Sequence, residues 1–426
     1  MSSAPETAVQ ESVDHLFRHH SGQMAAVLAR IFGLSKLEVI EDAVQDALVT
    51  ALKTWPYAGF PENPQAWLIQ VSKNKLLDRI RRDRHTASLD TEIKAVEAAT
   101  QSLSVADPIY FANEVGEDQL RMIFACCHPA IAKDAQVALT LKLVGGFAVT
   151  EIASAFLVRA DAMARMLSRA KLKLREGGVE LEIPDPAEIP ARLDAVLKVL
   201  YLMFNEGYSA TEGDELVRAD LCQEAIRLCR LLTAHPVTGT PKTHALAALF
   251  FFQSARLSSR QDEAGDLLLL SEQDQSQWDR RALVQAMDHF RNSASGKELS
   301  DYHLEAEIAA CHALAPNHSL TDWPRIVNCY DLLQERRYSP VVELNRIIAW
   351  SKVEGTAKGL DELERLSDRL SNYHLFQVAK AHFLAEIGQF GEASRAYEQA
   401  LAIARNEPVR RFLRKKIAHI GQHSVT

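Results

Sequence analysis

Residues 67–82 read Trp67-Leu68-Ile69-Gln70-Val71-Ser72-Lys73-Asn74-Lys75-Leu76-Leu77-Asp78-Arg79-Ile80-Arg81-Arg82, a segment that opens apolar and closes in arginine. Pro64 stands just upstream, where a helix accepts proline in its first turn, so the pattern predicts one helix over about 64–84. From Gln65 to His85 the cations Lys73, Lys75, Arg79, Arg81, Arg82 and Arg84 oppose only Asp78 and Asp83, a net of +4. Val158–Glu176 repeats that excess, with Arg159, Arg165, Arg169, Lys171, Lys173 and Arg175 against Asp161 and Glu176. The whole chain of 426 residues is acidic, at −8, so it does not coat polyanions indiscriminately. Two basic helices in such a chain point to two local contacts with a polyanion.

Length and composition frame these segments. A chain of this size implies two to four domains, and 47% hydrophobic with 24% charged residues fits a globular protein. Aromatics are only 7% while Ala, Leu, Arg and Glu are plentiful, which favours helix. No stretch reaches the roughly 18 uncharged apolar residues of a membrane span, and Met1–Gln10 has neither the basic nor the apolar part of an export signal. A cytoplasmic protein without a membrane partner is expected. Cys126, Cys127, Cys222, Cys229, Cys311 and Cys329 show no C-x-x-C spacing, so buried free thiols are expected and no metal or cofactor.

The expected fold class is all-α. Val13–Phe32 has apolar Leu16, Met24, Val27, Leu28 and Ile31 at helical spacing; Lys36–Thr54 has Val39, Ile40, Ala43, Val44, Ala47, Leu48 and Leu52 on one face. Trp55–Pro64, with three prolines and Gly59, is expected as a loop. Thr86–Asn113 lacks periodicity and reads as a tether; Glu114–Leu143 reads as helix, stopped at Gly145-Gly146. A short helix Thr150–Phe156 capped by Thr150, then one to about Arg175 capped by Asp161, make a helix-turn-helix candidate. Past Gly177-Gly178 and Pro184, Pro186 and Pro190 the patterns are helical, broken at Thr238–Pro241 and Ala315–Asn317. Ala393, Tyr397, Ala400 and Leu401, with Phe390 and Ala381, suit a tetratricopeptide-like helix pair.

Several segments, in order, resemble the extracytoplasmic-function sigma factors of RNA polymerase. That family writes its −10 helix as a Trp-Leu pair, an Asn, an Asp four residues on and an arginine cluster; Trp67-Leu68, Asn74, Asp78, Arg81 and Arg82 fill those places. Glu41-Asp42-Ala43-Val44-Gln45-Asp46-Ala47-Leu48 resembles its polymerase-clamp helix, with Glu41, Asp42, Gln45 and Asp46 as the polar contacts. Phe147, Glu151, Ile152, Ala153 and Leu167-Ser168-Arg169-Ala170 match its −35-reading domain, and Val199–Tyr208 is similar to the opening of a tetratricopeptide-like extension in one subgroup. The resemblance implies a sigma-2 module at 10–85, a linker at 86–113, a helix-turn-helix sigma-4 module at 114–176 and a helical extension at 187–424. It implies core RNA polymerase and promoter DNA as partners. Ala164 and Met166 depart from it, since the family commonly places basic residues there.

The chemistry fits that assignment. Phosphates are held by cations on an exposed helix face, which suits Arg79, Arg81 and Arg82. A melted base must be stacked or pocketed, and Trp55, Phe60 and Trp67 are candidates, with Asn74 beside them. Arg165, Arg169 and Lys171 are the candidates for the −35 duplex, Arg165 and Arg169 sharing one helix face. Each has a structural alternative: Trp67 as core, Trp55 and Phe60 as pins for their loop, Asn74 and Asp78 as helix braces. The basic stretch Arg410–Lys416 reads as a surface face, and no catalytic motif is present, so no enzyme is expected. The alternative function is a helix-turn-helix regulator that binds operators without polymerase. The acidic C-terminal part, at −7 beyond residue 176, is expected to take a peptide or protein ligand and to regulate the rest.

Overall fold

The structure, a computed structural model, describes residues 20–82, 108–156, 158–185, 187–209, 216–262 and 264–423. The chain is all-α; strand-like pairing among these residues is confined to isolated bridges, such as the antiparallel one from Gln261 to Leu267. It divides into two compact units, Met1–Leu202 and Met203–Thr426.

The N-terminal unit begins with a helix over 20–32 (α1), which stops at Gly33, where φ of +83° suits glycine alone. Leu37–Ala58 (α2) and Pro64–Arg82 (α3) follow as a packed pair. The expected inner face of α2 is buried at Ile40, Ala43, Val44, Ala47 and Leu48; Leu52 turns outward, and Leu37, Ala51 and Trp55 complete the face. The expected loop at Trp55 starts later than its prolines suggest. Pro56 costs α2 one hydrogen bond in its last turn, but the helix continues to Ala58, and Gly59 at φ +82° ends it by donating to the Trp55 carbonyl. Met24 of α1 packs under α3, its sulfur 3.7 Å from the Ser72 hydroxyl.

The second half of this unit holds Pro108–Cys126 (α4), Lys133–Leu143 (α5), Val149–Ala155 (α6) and Ala160–Glu176 (α7). Three expectations are corrected here. The continuous helix read over Glu114–Leu143 is two helices, because Pro129 cannot continue the first, and it starts at Pro108, inside the expected tether. Thr150 does not cap α6: Ala148 is the N-cap, and Glu151 reaches back to accept from its N–H at 2.7 Å. Asp161 lies within the first turn of α7, where Arg165 holds its carboxyl below the usual range. Leu16, Arg84 and residues 86–107 of the tether lie outside the described residues.

The C-terminal unit is a succession of helices in which each core patch is built by chain neighbours. Leu304, Ile308, Ile326, Cys329, Leu333 and Ala349 form one patch, and Leu344, Ile347, Leu363, Leu366, Phe376 and Phe383 form the next. Ala381, Ala393, Ala396, Tyr397, Ala400 and Leu413 form the last; the alanines let their helices approach and the tyrosine fills between them. The break read at Thr238–Pro241 is a capped helix start, with Thr240 accepting from the Thr243 N–H and Pro241 following. The basic stretch near the end is tied down locally: Arg411 donates to Asp266 at 2.6 Å, Lys416 to Glu272 at 3.1 Å, and Arg410 to the Leu401 and Ala404 carbonyls.

Five cysteines are buried and Cys311 is half-buried, with no disulfide among them. Burial pushes the Cys127 and Cys222 thiols up to about 12, which keeps them protonated and inert.

Gly207, within the Val199–Tyr208 signature, shows why that motif contains glycine. Its carbonyl accepts from the Arg218 N–H at 2.7 Å, and an added Cβ would lie 2.8 Å from the Arg218 oxygen and the Cys222 nitrogen. Both obstacles are backbone. Gly207→Val is therefore expected to destabilise the C-terminal unit by about 1–3 kcal/mol through overpacking, read by thermal unfolding.

Candidate nucleic-acid interface

Three groups of side chains were expected to carry the function, and the fold distributes them over α2, α3 and α7. The first is aromatic. Trp55 is buried in the α2 face, with the Phe60 ring 5.2 Å from it on one side and Trp67 5.4 Å on the other. The fold makes Trp55 the floor of the cluster and Trp67 its half-buried wall. Phe60 is 63% exposed and Tyr57, not singled out in the sequence, is 92% exposed.

Beside this cluster runs α3. Asn74 is exposed and accepts from the Gln70 amide at 3.4 Å; Arg81 and Arg82 are exposed at the last turn, Arg81 standing 3.6 Å from Asp78. Arg79 goes elsewhere. Its guanidinium bridges α3 to α2, donating to Asp42 at 2.6 Å and Asp46 at 2.9 Å, and the Asp42 hydrogen bond raises its pKa further. A residue expected on the phosphate side thus pairs with two carboxylates expected on the polymerase side.

The helix-turn-helix pair is held by Met163, Leu167, Ala170 and Leu174 on the inner face of α7, with Phe147 and Ile152 buried beneath. This leaves Arg165 and Arg169 outward and adjacent, as a spacing of four requires. Arg165 pairs with Asp161 at 3.0 Å, and the Arg169 Nε donates to the Arg165 carbonyl at 3.3 Å.

Lys171 points away from them. Its ammonium donates to Glu41 Oε2 on α2, and Lys142 of α5 approaches the other carboxylate oxygen at 3.8 Å. Gln45 is exposed at the rim of the same contact, beside a cavity of about 270 Å3 that Ser21, Glu41, Lys142 and Lys171 also line. Two further contacts join the halves of the unit. Arg30 of α1 donates at 2.8 Å to Asp118 of α4, whose carboxylate is only 1% exposed and also accepts from Arg121; burial nonetheless holds the Asp118 pKa above its ordinary value. At Gly22 the α1 backbone lies so close to the Val144 carbonyl that a Cβ would fall 1.9 Å from the oxygen. Sequence reasoning missed Lys142, Asp118 and Gly22. A single cation or carboxylate on an amphipathic helix gives no signal, whereas a glycine inside a helical pattern is a cue to close packing.

Comparison with known proteins adds the following. The Sigma-70 region 2 family matches residues 16–86, and a family of unknown function (DUF6596) matches residues 192–294. An uncharacterized protein of Rhizobium meliloti (strain 1021) is 37% identical over 404 residues, which cover 95% of each chain. No solved structure matches. Among the described residues no helix is long and apolar enough to cross a membrane.

The two aromatic positions should separate by stability. Trp55→Ala removes a buried ring and is expected to cost about 3–5 kcal/mol in thermal unfolding. Phe60→Ala, at an exposed ring, is expected to stay within about 0.5 kcal/mol of the parent. Equal losses would make Phe60 part of the core.

Proposed function

We propose that the chain, whose residues 16–86 match Sigma-70 region 2, is an extracytoplasmic-function sigma factor with a tetratricopeptide-like C-terminal extension. It binds core RNA polymerase, recognises −35 and −10 elements and starts transcription. The observation that carries this reading is that the matched segment holds, at one end of α3, an aromatic group that offers Phe60 to solvent and, roughly 21 Å along the same helix, an exposed arginine end. Duplex binding needs only the cations; an exposed ring on the same helical element suits a strand that has been melted along its course.

In this reading Arg81 and Arg82 neutralise phosphates, Asn74 faces a base, and Phe60 stacks one with Trp55 and Trp67 behind it. Arg79 braces α3 against α2. Glu41, Asp42, Gln45 and Asp46 meet polymerase. Helix α7 enters the major groove of the −35 element, Arg165 and Arg169 leading and Lys171 near the backbone. The acidic part beyond residue 176, at −7 of the chain's −8, takes a peptide or protein ligand and regulates the promoter-binding part.

The test is run-off transcription with purified core polymerase on genomic promoter fragments. Discrete transcripts that depend on this protein are expected; neither transcripts nor polymerase binding would return the assignment to an operator-binding regulator. The double variant Arg81→Ala/Arg82→Ala should form fewer open complexes, bind core polymerase normally, and lower the salt slope of promoter binding by about 2. Arg165→Ala should weaken −35 discrimination by about 1–3 kcal/mol without altering core binding.

A further inference from the structure

We propose that Arg260, with Arg256, Ser259 and Tyr208, forms an oxyanion site in the C-terminal unit that takes free phosphate or the phosphate group of a small molecule. The inference stands apart from the sigma-factor reading. It starts from the Val199–Tyr208 signature, whose last ring is the outer member of an aromatic stack. Phe250 lies 4.2 Å from Phe204, and Phe204 lies 5.9 Å from Tyr208, centre to centre. The helix Pro241–Ser254 that carries Phe250 gives way to a tight turn at Leu257–Arg260, which returns the chain over the Tyr208 ring. The Arg260 guanidinium sits on that ring, 3.9 Å from its centre, and the Arg256 guanidinium stands 5.4 Å from the same centre. The turn is pinned, since the Arg260 carbonyl accepts from the Leu268 N–H at 2.8 Å.

Negative charge from the protein does not reach this cluster. Arg260 is only 9% exposed, yet among the described residues no carboxylate pairs with it, and its Nη1 has no hydrogen-bond partner. The titratable groups that act on it are Tyr208, Arg256 and Cys222. The nearest acids along the chain are engaged elsewhere: Asp266 holds Arg411 and Lys415, and Asp262 accepts from the N–H groups of Ala264 and Asp266. Arg256 is oriented by the Gln253 amide oxygen at 2.8 Å, a neutral acceptor that leaves its charge in place. Two neighbouring hydroxyls, those of Tyr208 and Ser259, are also buried without a partner. Burial above all, with Arg256 adding to it, lowers the Arg260 pKa.

A ring face offsets only part of the cost of burying a guanidinium, and a second guanidinium on the same ring adds repulsion. Cations and hydroxyl donors gathered without an acid make a receptor for an oxyanion, which accepts charge-assisted hydrogen bonds from all of them. A phosphate monoester brings about −1.5 to −2 at pH 7 with three acceptor oxygens, enough to answer both arginines, which a single carboxylate is not. Size follows from burial. Arg260 admits a small group and no folded surface, and the half-buried Arg256 marks the side of entry.

The test uses the full chain in phosphate-free buffer, with Arg260→Met and Arg256→Gln as variants. The first keeps an unbranched side chain over the ring and removes its charge; the second acts at a half-buried position, and circular dichroism checks both. Phosphate released on denaturation is assayed first. Binding of inorganic phosphate and of glycerol phosphate is then measured by calorimetry at constant ionic strength, with thermal unfolding in parallel.

The parent is expected to bind about one equivalent, and to melt higher in phosphate than in chloride of equal ionic strength. Arg256→Gln should weaken binding about tenfold to a hundredfold, and Arg260→Met should abolish both the binding and the thermal shift. Tighter binding of glycerol phosphate assigns the site to a phosphorylated small molecule, and tighter binding of inorganic phosphate assigns it to the free ion; either upholds the site. A parent that neither releases nor binds phosphate overturns it, as does parental affinity in either variant. Should Arg260→Met fail to fold, Arg256→Gln decides alone by the same measure.

Discussion

A carboxylate shielded from water must keep a cation beside it, and helix α2 places three carboxylates along its outer side. Glu41 answers to Lys142 and Lys171, while Asp42 and Asp46 share Arg79. These pairings decide where α3 and α7 sit on α2, because each cation comes from a different helix. The apolar inner face gives α2 its place in the core; the acidic outer face selects its neighbours. The pairs of Arg79 with the exposed Asp42 and Asp46 contribute little net stability, so their effect is on arrangement more than on free energy. An arrangement held by ion pairs can also be exchanged for another without unfolding the helices.

Arg79 illustrates how one helix divides its labour. It sits three positions from Arg82 and on nearly the same helix face, but one turn earlier, where Asp42 and Asp46 of α2 are in reach, while Arg81 and Arg82 are exposed at the helix end. Trp55 and Phe60 divide in the same way. They stand five residues apart across the end of α2, where Gly59 turns the chain, so Trp55 is buried and Phe60 faces solvent. The buried member of each pair fixes the position from which its exposed neighbour can act. Orientation of the exposed group is thus set by core packing, which makes the site a product of the fold and not of flexible surface.

Helix content could be read directly from the chain, and so could most helix boundaries of the N-terminal unit. Ile40, Ala43, Val44, Ala47 and Leu48 declare the buried face of α2 by spacing alone, and the Thr240-Pro241 pair declares a helix start by its capping chemistry. Local rules failed where two of them competed. Pro56 suggested a loop, but the continuing apolar face, with Trp55 as its last member, outweighed one lost hydrogen bond. Thr150 was a plausible cap until Glu151 satisfied the same helix end from the inside. The two positive segments were correctly located, yet which of their cations face outward was not legible. Lys171 and Arg79 look like Arg169 and Arg82 in sequence, and only the acidic residues of another helix distinguish them.

The same argument bears on the charge pattern as a whole. Counted along the chain, residues 65–85 and 158–176 each carry +4 and together would attract a polyanion strongly. Counted in the fold, Arg79 and Lys171 are already neutralised by α2, so each helix presents a smaller positive surface than its sequence suggests. A binding site for nucleic acid whose cations are partly satisfied within the protein has a lower affinity for random duplex. Counterion release scales with the number of cations free to meet phosphate, so removing even two lowers non-specific binding at every sequence alike.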